Sequence, residues 1–188
     1  MQVRRSKSYI IKTMTMQKTL ILGGIRSGKS GRAEALARPH PQVLYVATAT
    51  AGDEEMAARI DRHRARRPPH WQLVEAPLAL GAVLREAAAA PTPPCLLVDC
   101  MSLWVSNLLH AGEATFGRER DAFLQALVAY PADVVIVSNE TGLGTIGMDP
   151  LTRRFCDELG WLNQALAARC QRVELVMAGL SLPLKAPR

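Results

Sequence analysis

Lys18-Thr19-Leu20-Ile21-Leu22-Gly23-Gly24-Ile25-Arg26-Ser27-Gly28-Lys29-Ser30 reads as a strand, a glycine-rich turn and a helix start in succession. The apolar run Lys18–Gly23 is an expected buried strand, and G-x-x-x-x-G-K-S runs into a stretch rich in alanine and leucine. That is the phosphate-binding loop, or P-loop, in the context it needs. Glycines let successive backbone N–H groups turn inward as an anion nest, and the following helix start adds partial positive charge. Gly23, Gly24, Ile25, Arg26, Ser27, Gly28, Lys29 and Ser30 are therefore expected to bind the phosphates of a nucleoside triphosphate. Lys29 would reach the outer phosphates, and the Ser30 hydroxyl would ligate Mg²⁺.

Outward from the loop, short apolar runs alternate with helical ones. Strands are expected at Gln42–Thr48, Cys95–Cys100, Asp133–Asn139 and Arg172–Ala178. Helices are expected at Ser27–Arg38, Asp53–Arg67, Pro77–Ala90, Leu103–His110, Arg118–Tyr130 and Pro150–Arg169, with prolines stopping the first three. Strands apolar on both faces and separated by helices imply an α/β fold with a mainly parallel sheet covered on both sides. At 188 residues the chain suits one domain, expected over 18–188. Ligands in such folds sit beyond the carboxyl ends of the strands, so chemistry belongs at the P-loop, Thr48–Gly52, Asp99–Ser102, Asn139–Gly147 and Gly179–Leu184.

Charge and cysteines narrow the classes. Arg4, Arg5, Lys7 and Lys12 contribute +4 of the +6 net charge from residues 1–17, which hold no acid. That segment reads as a basic, disordered extension without a secretory pattern, and Met14 or Met16 could be the true start. The remaining +2 gives no reason to expect nucleic acid as a partner. No apolar run approaches the roughly 18 residues of a membrane span. Cys95, Cys100, Cys156 and Cys170 form no C-x-x-C pair and read as reduced thiols of a cytoplasmic protein.

Several residues at the strand ends have two readings. Asp99 closes Leu96-Leu97-Val98-Asp99, where P-loop proteins place a second acidic partner of Mg²⁺; the alternative is a cap on the next helix, and the strand-end position favours the metal role. In Asp53–Arg67, acids open the expected helix and arginines close it. Met56, Ile60, His63 and Arg67 then share one stripe. His63 would thus face the protein among guanidiniums, either as a phosphate-attacking nucleophile or as a packed histidine, and spacing alone favours packing. Asn107, within an apolar helix, could pack helices or face the site. Asn139-Glu140 precedes the glycine-rich run Gly142, Gly144, Gly147 and could contact ligand or simply turn the chain.

As a set these residues resemble the bifunctional adenosylcobinamide kinase / adenosylcobinamide-phosphate guanylyltransferase family of cobalamin biosynthesis. The resemblance spans about residues 18–185. Its motifs here are Gly-Gly-Ile-Arg-Ser-Gly-Lys-Ser (23–30), Tyr-Val-Ala-Thr-Ala (45–49), Glu-Met-Ala-Ala-Arg-Ile (55–60) and His63 with Arg67-Pro68. They continue through Trp71, Glu75, Pro77, Val-Asp-Cys-Met-Ser-Leu-Trp (98–104), Ser106-Asn107, Ser138-Asn139-Glu140, Ala-Gly-Leu (178–180) and Leu184-Lys185. A generic P-loop kinase would share only the first. Departures are Ile25 for alanine, Met101-Ser102 for a Leu-Thr-like pair, and Thr141 and Thr145–Asp149 in the glycine-rich loop.

The resemblance implies a RecA-like P-loop domain, a homotrimer, and two reactions using GTP and ATP with Mg²⁺. In the first, γ-phosphate moves to a hydroxyl of adenosylcobinamide. In the second, the histidine of H-x-x-x-R-P, here His63, takes GMP from GTP and passes it to adenosylcobinamide phosphate. Thr48, Ala49, Thr50, Arg64, Ala65, Arg66 and Arg67 are expected around the guanylyl group. Glu75, Asn107, Asn139 and Glu140 are candidates for nucleotide or corrinoid contacts. Two other readings stay open: a simple small-molecule kinase with a structural His63, which would never take label from α-phosphate, and a nucleic-acid-dependent ATPase using the basic extension, whose binding would fall steeply with salt.

Overall fold

The computed structural model describes residues 16–50, 54, 61, 64, 67–144 and 147–186. The extension up to residue 15, His63, Ala65, Arg66 and most of the expected Asp53–Arg67 helix lie outside the described residues. Within that segment Glu54, Asp61 and Arg64 are helical.

Seven strands form one sheet: β1 (Lys18–Gly23), β2 (Val43–Ala47), β3 (Gln72–Glu75), β4 (Cys95–Asp99), β5 (Val134–Asn139), β6 (Arg172–Met177) and β7 (Leu180–Lys185). Their order is β3-β2-β4-β5-β1-β6-β7, parallel throughout except for the β6–β7 hairpin. The described helices are α1 (Lys29–Ala37), α2 (Leu80–Ala88), α3 (Met101–Ala111), α4 (Glu113–Ala129) and α5 (Pro150–Arg169).

Alternation along the strands divides the interior in two, because successive side chains point to opposite faces. Leu20, Leu22, Leu44, Val46, Leu96, Val98, Val134 and Ile136 pack with α2 to α5 in the larger core. Trp104 anchors it: its ring meets Phe123 edge-on at 5.2 Å and its indole N–H donates to the Leu78 carbonyl at 2.7 Å. Ile21, Val43, Tyr45, Leu97, Val135 and Val137 face the other way and pack with α1 and Trp71. There the fully buried apolar residues of α1 are small, Ala33 and Ala37, with half-buried Leu36 beside them, so the helix lies close on the sheet.

The sequence reading finds five strands, and the structure adds two. β3 is a four-residue edge strand with little buried surface, so it lacks the apolar run of an interior strand. β7 carries Pro183 and is exposed along its whole length. Proline has no N–H for a ladder and is tolerated only at such an edge. The hairpin turns on Ala178 (φ 53°) and Gly179 (φ 81°), both left-handed as a tight primed turn requires. At the helices, Ser27 and Gly28 stay in the loop because Gly28 has φ 99°, and α4 starts at Glu113 and runs through Gly117.

Glu174 on β6 ties the sheet to α1. Its buried carboxylate accepts from Arg32 Nε at 2.7 Å and Nη2 at 3.0 Å, and from Arg172 Nε at 2.6 Å. The Arg32 hydrogen bonds hold the Glu174 carboxyl below the ordinary value of 4.5, against the opposing effect of burial. A depressed carboxylate pKa contributes stability above the unfolded value and loses it as pH falls through the folded one. Glu174→Gln is expected to cost about 1–3 kcal/mol at neutral pH. Urea unfolding should show that gap narrowing once the pH drops below 4.5.

Candidate active site

The strand register lines the carboxyl edge of the sheet with the expected residues. Glu75 pairs with Ala47, Ala47 with Asp99, Asp99 with Val137, and Gly23 with both Asn139 and Val176. The P-loop therefore stands beside Asn139, with Asp99, Thr48 and Glu75 along the same rim.

The loop's shape follows from what surrounds its glycines. A Cβ on Gly23 would stand 2.5 Å from the Val176 carbonyl oxygen and 2.4 Å from Ser27 Oγ, so this position admits no side chain. Gly28 is left-handed, and a Cβ there would come 3.3 Å from the Gly179 Cα. The hairpin turn braces the loop from the other side, where the Gly179 N–H donates to the Ser27 carbonyl at 2.9 Å. Gly24, Ile25 and Arg26 are exposed, with Arg26 at φ 56°. Lys29 lies back over the loop, its ammonium donating to the Gly24 carbonyl at 3.1 Å. The Ser27 hydroxyl is buried without a hydrogen-bond partner, a polar group left inside the cradle.

Beside the loop, Thr48 is fully buried and joins two strand ends. Its hydroxyl donates to the Cys100 carbonyl at 2.7 Å and accepts from the Cys100 N–H at 2.8 Å. Its N–H donates to the Asp99 carbonyl at 3.2 Å. Asn107 donates to the Thr48 carbonyl at 2.8 Å and the Pro77 carbonyl at 3.1 Å, so its amide packs α3 against the rim. Ala49 is half-buried and Thr50 exposed. The Glu140 N–H donates to the Gly23 carbonyl at 3.2 Å, while the Glu140 carboxylate accepts from the Gly142 N–H at 2.8 Å. Asn163 on α5 fixes this strand end, accepting from Ser138 at 2.6 Å and donating to the Asn139 carbonyl at 3.0 Å.

Tyr45 is a contact to which sequence reasoning gave no role. Its hydroxyl donates to Asp99 Oδ2 at 2.9 Å, and the guanidinium of Arg67 sits over its ring at 4.1 Å. Burial, then the neighbouring Asp99 charge, pushes the phenol well above its usual range, so it remains a proton donor. Arg64 reaches the same rim, with Nη2 3.7 Å from Glu75 Oε1. Two arginines that follow His63 in the sequence, Arg64 and Arg67, thus arrive at the carboxyl edge. The sequence carries no local signal for this contact: Tyr45 lies two residues before the partner of Asp99, a register that the pairing of β2 with β4 sets.

A hydroxyl on Ser30 and a carboxylate on Asp99 are hard oxygen ligands of the kind Mg²⁺ takes alongside phosphates and water. Burial of the Cys100 thiol, then the neighbouring Asp99 charge, raises its pKa.

Residues 19–184 match the CobU family, described as cobinamide kinase / cobinamide phosphate guanyltransferase. The chain belongs to that family. It is a cobinamide kinase and cobinamide-phosphate guanylyltransferase of cobalamin biosynthesis. It is 54% identical over 168 residues to the bifunctional adenosylcobalamin biosynthesis protein CobP of Pseudomonas aeruginosa, covering 88% of this chain and 96% of that one. It is 42% identical over 180 residues to the bifunctional protein CobU of Salmonella typhimurium, covering 88% and 98%. In fold it is similar to an ATPase of the type III secretion system of pathogenic bacteria, with TM-score 0.55 and 10% identity over 89% of this chain and 56% of that one. The α/β expectation with a mainly parallel sheet is met. Among the described residues no helix is long and apolar enough to cross a membrane.

Proposed function

We propose that the chain carries out both reactions on one rim, with a GMP–histidine intermediate on His63. In the kinase step, γ-phosphate passes from ATP or GTP to the aminopropanol hydroxyl of adenosylcobinamide. The P-loop N–H groups and Lys29 hold and neutralise the transferring phosphates. Ser30 and Asp99 would hold Mg²⁺, which when bound offsets charge on the phosphate oxygens. In the transferase step, a lone pair of the His63 imidazole attacks the α-phosphorus of GTP. A P–N bond forms, the α–β P–O bond breaks, and pyrophosphate leaves with the electron pair. A phosphate oxygen of adenosylcobinamide phosphate then displaces the histidine to give adenosylcobinamide-GDP. A covalent relay of this kind splits one hard displacement into two easier ones.

The observation that carries this reading is that Arg64 and Arg67, which follow His63 within its motif, reach the rim that holds the P-loop. Ala49, Thr50 and Arg64–Arg67 are assigned to the guanylyl group, while Thr48, fully buried with its hydroxyl taken by the Cys100 backbone, is given a supporting role. Glu75, Asn139 and Glu140 are assigned to nucleotide or corrinoid contacts. The Asn107 amide is occupied by backbone carbonyls, which favours a supporting role over direct contact.

The same reading takes residues 1–17 as an extension outside one domain over 18–188, and the protein as a cytoplasmic homotrimer with no nucleic-acid partner. The exposed row Leu180, Leu182 and Leu184 on β7 supports a chain–chain contact, for which the mass in solution is the check.

The test is incubation with Mg²⁺ and GTP labelled at the α-phosphate, followed by denaturation. Acid-labile, alkali-stable label on the protein is the expected result. Its absence, with nucleotide binding intact, would reduce His63 to a packing role.

A further inference from the structure

The end of β6 and the β6–β7 turn press on the P-loop from one side. Val176 pairs with Gly23 in the β1–β6 ladder, and a Cβ on Gly23 would stand 2.5 Å from the Val176 carbonyl oxygen. A Cβ on Gly28 would stand 3.3 Å from the Gly179 Cα and 3.7 Å from Val176 Cγ1. Next to Gly28, the Ser27 carbonyl accepts from the Gly179 N–H at 2.9 Å. Gly179 stands at φ 81° in the turn, a conformation glycine adopts without strain. A trans peptide unit is planar, so a carbonyl and the N–H of the next residue point in opposite directions. Holding the Ser27 carbonyl on the hairpin therefore aims the Gly28 N–H away from the hairpin. Gly28 is the N-cap of α1, so this N–H stands at the helix start. An anion nest is effective when its N–H groups are already set before the anion arrives.

We propose that Gly179 is a positioning residue for the phosphate donor: its N–H fixes the plane of the Ser27–Gly28 peptide and so aims the Gly28 N–H at the phosphates. The proposal rests on the reading of residues 23–30 as the phosphate cradle. Gly179 touches no phosphate itself. The role also gives a task to the hairpin. Its second strand, β7, is exposed along its whole length and places no buried residue in either core. What the hairpin supplies is a backbone donor at a fixed point beside the loop.

The experiment places glycolic acid at position 179 of the full chain by cell-free translation with a suppressor transfer RNA. The exchange replaces the Gly179 N–H by an ester oxygen and adds no side chain. The control is the matching ester at Leu182, which pairs with Leu175 farther along the same hairpin. Phosphorylation of cobinamide is followed with ATP and cobinamide varied in turn, beside a melting curve. For the Gly179 ester the KM for ATP should rise about three- to tenfold, the usual effect of one lost hydrogen bond. Its KM for cobinamide, and both KM values of the Leu182 ester, should stay within about twofold of wild type. A KM for ATP that does not move with the Gly179 ester would overturn the positioning role. So would an equal rise with the Leu182 ester, or loss of the fold, since either marks the bond as support for the domain and not for the loop. A Lys29→Ala/Ser30→Ala variant run alongside separates the two readings. If it phosphorylates cobinamide like wild type, the reading of the cradle falls, and the role of Gly179 with it.

Discussion

His63→Asn is expected to remove protein-bound label from α-labelled GTP and to lower guanylyl transfer by about a thousandfold or more. Asparagine keeps a comparable size and polarity but has no basic lone pair to attack phosphorus. Phosphorylation of cobinamide needs only the P-loop groups, so it should stay within about threefold of wild type. The measurement is a pair of assays on one preparation: α-label retained after denaturation, and γ-label moved to the corrinoid. Retained labelling with His63→Asn would move the nucleophile elsewhere. Loss of both activities would point to a shared positioning role for the segment instead.

Lys29→Ala is expected to reverse that pattern for the first reaction. Its ammonium lies over the loop on the Gly24 carbonyl, close to where the phosphates would enter. Removing one preorganised charge from a phosphoryl-transfer site typically costs about a hundred- to a thousandfold in kcat. The side chain makes no buried contact, so stability should move by no more than about 0.5 kcal/mol. Steady-state phosphorylation of cobinamide beside a thermal melt separates the two effects. A kcat within a fewfold of wild type would mean that the backbone nest alone holds the transferring phosphate.

Much of this was legible beforehand, for identifiable reasons. The P-loop could be read because its glycines answer to hard sterics: Gly23 has no room for a Cβ, and Gly28 needs a left-handed φ. The strands β1, β2, β4 and β5 could be read because each is apolar on both faces, and β6 because Val173, Leu175 and Val176 keep an apolar run around Glu174. β3 and β7 could not, since edge strands are held by ladder hydrogen bonds to one neighbour and leave little pattern in their side chains. Asn107 was open between packing and binding because its helix face is not fixed by periodicity alone; two backbone carbonyls take its amide. The link from Tyr45 to Asp99 was hidden for another reason. The residues are 54 apart, and only the pairing of β2 with β4 brings them together. His63 lies outside the described residues, so its role rests on its motif and on the two arginines beside it.

The strand order has a consequence in distance. Gly23 on β1 and Glu75 on β3 are separated by the intervening strands β5, β4 and β2. Neighbouring strands lie about 4.8 Å apart, so the rim between them measures roughly 19 Å. The rim is thus long, with Lys29 at one end and Glu75, met by Arg64, at the other. Lesions at the two ends fall beyond the range over which substitutions ordinarily interfere, about 10 Å. The two catalytic functions of this single chain should therefore be genetically separable, and two differently disabled copies mixed together should complete the sequence that neither completes alone.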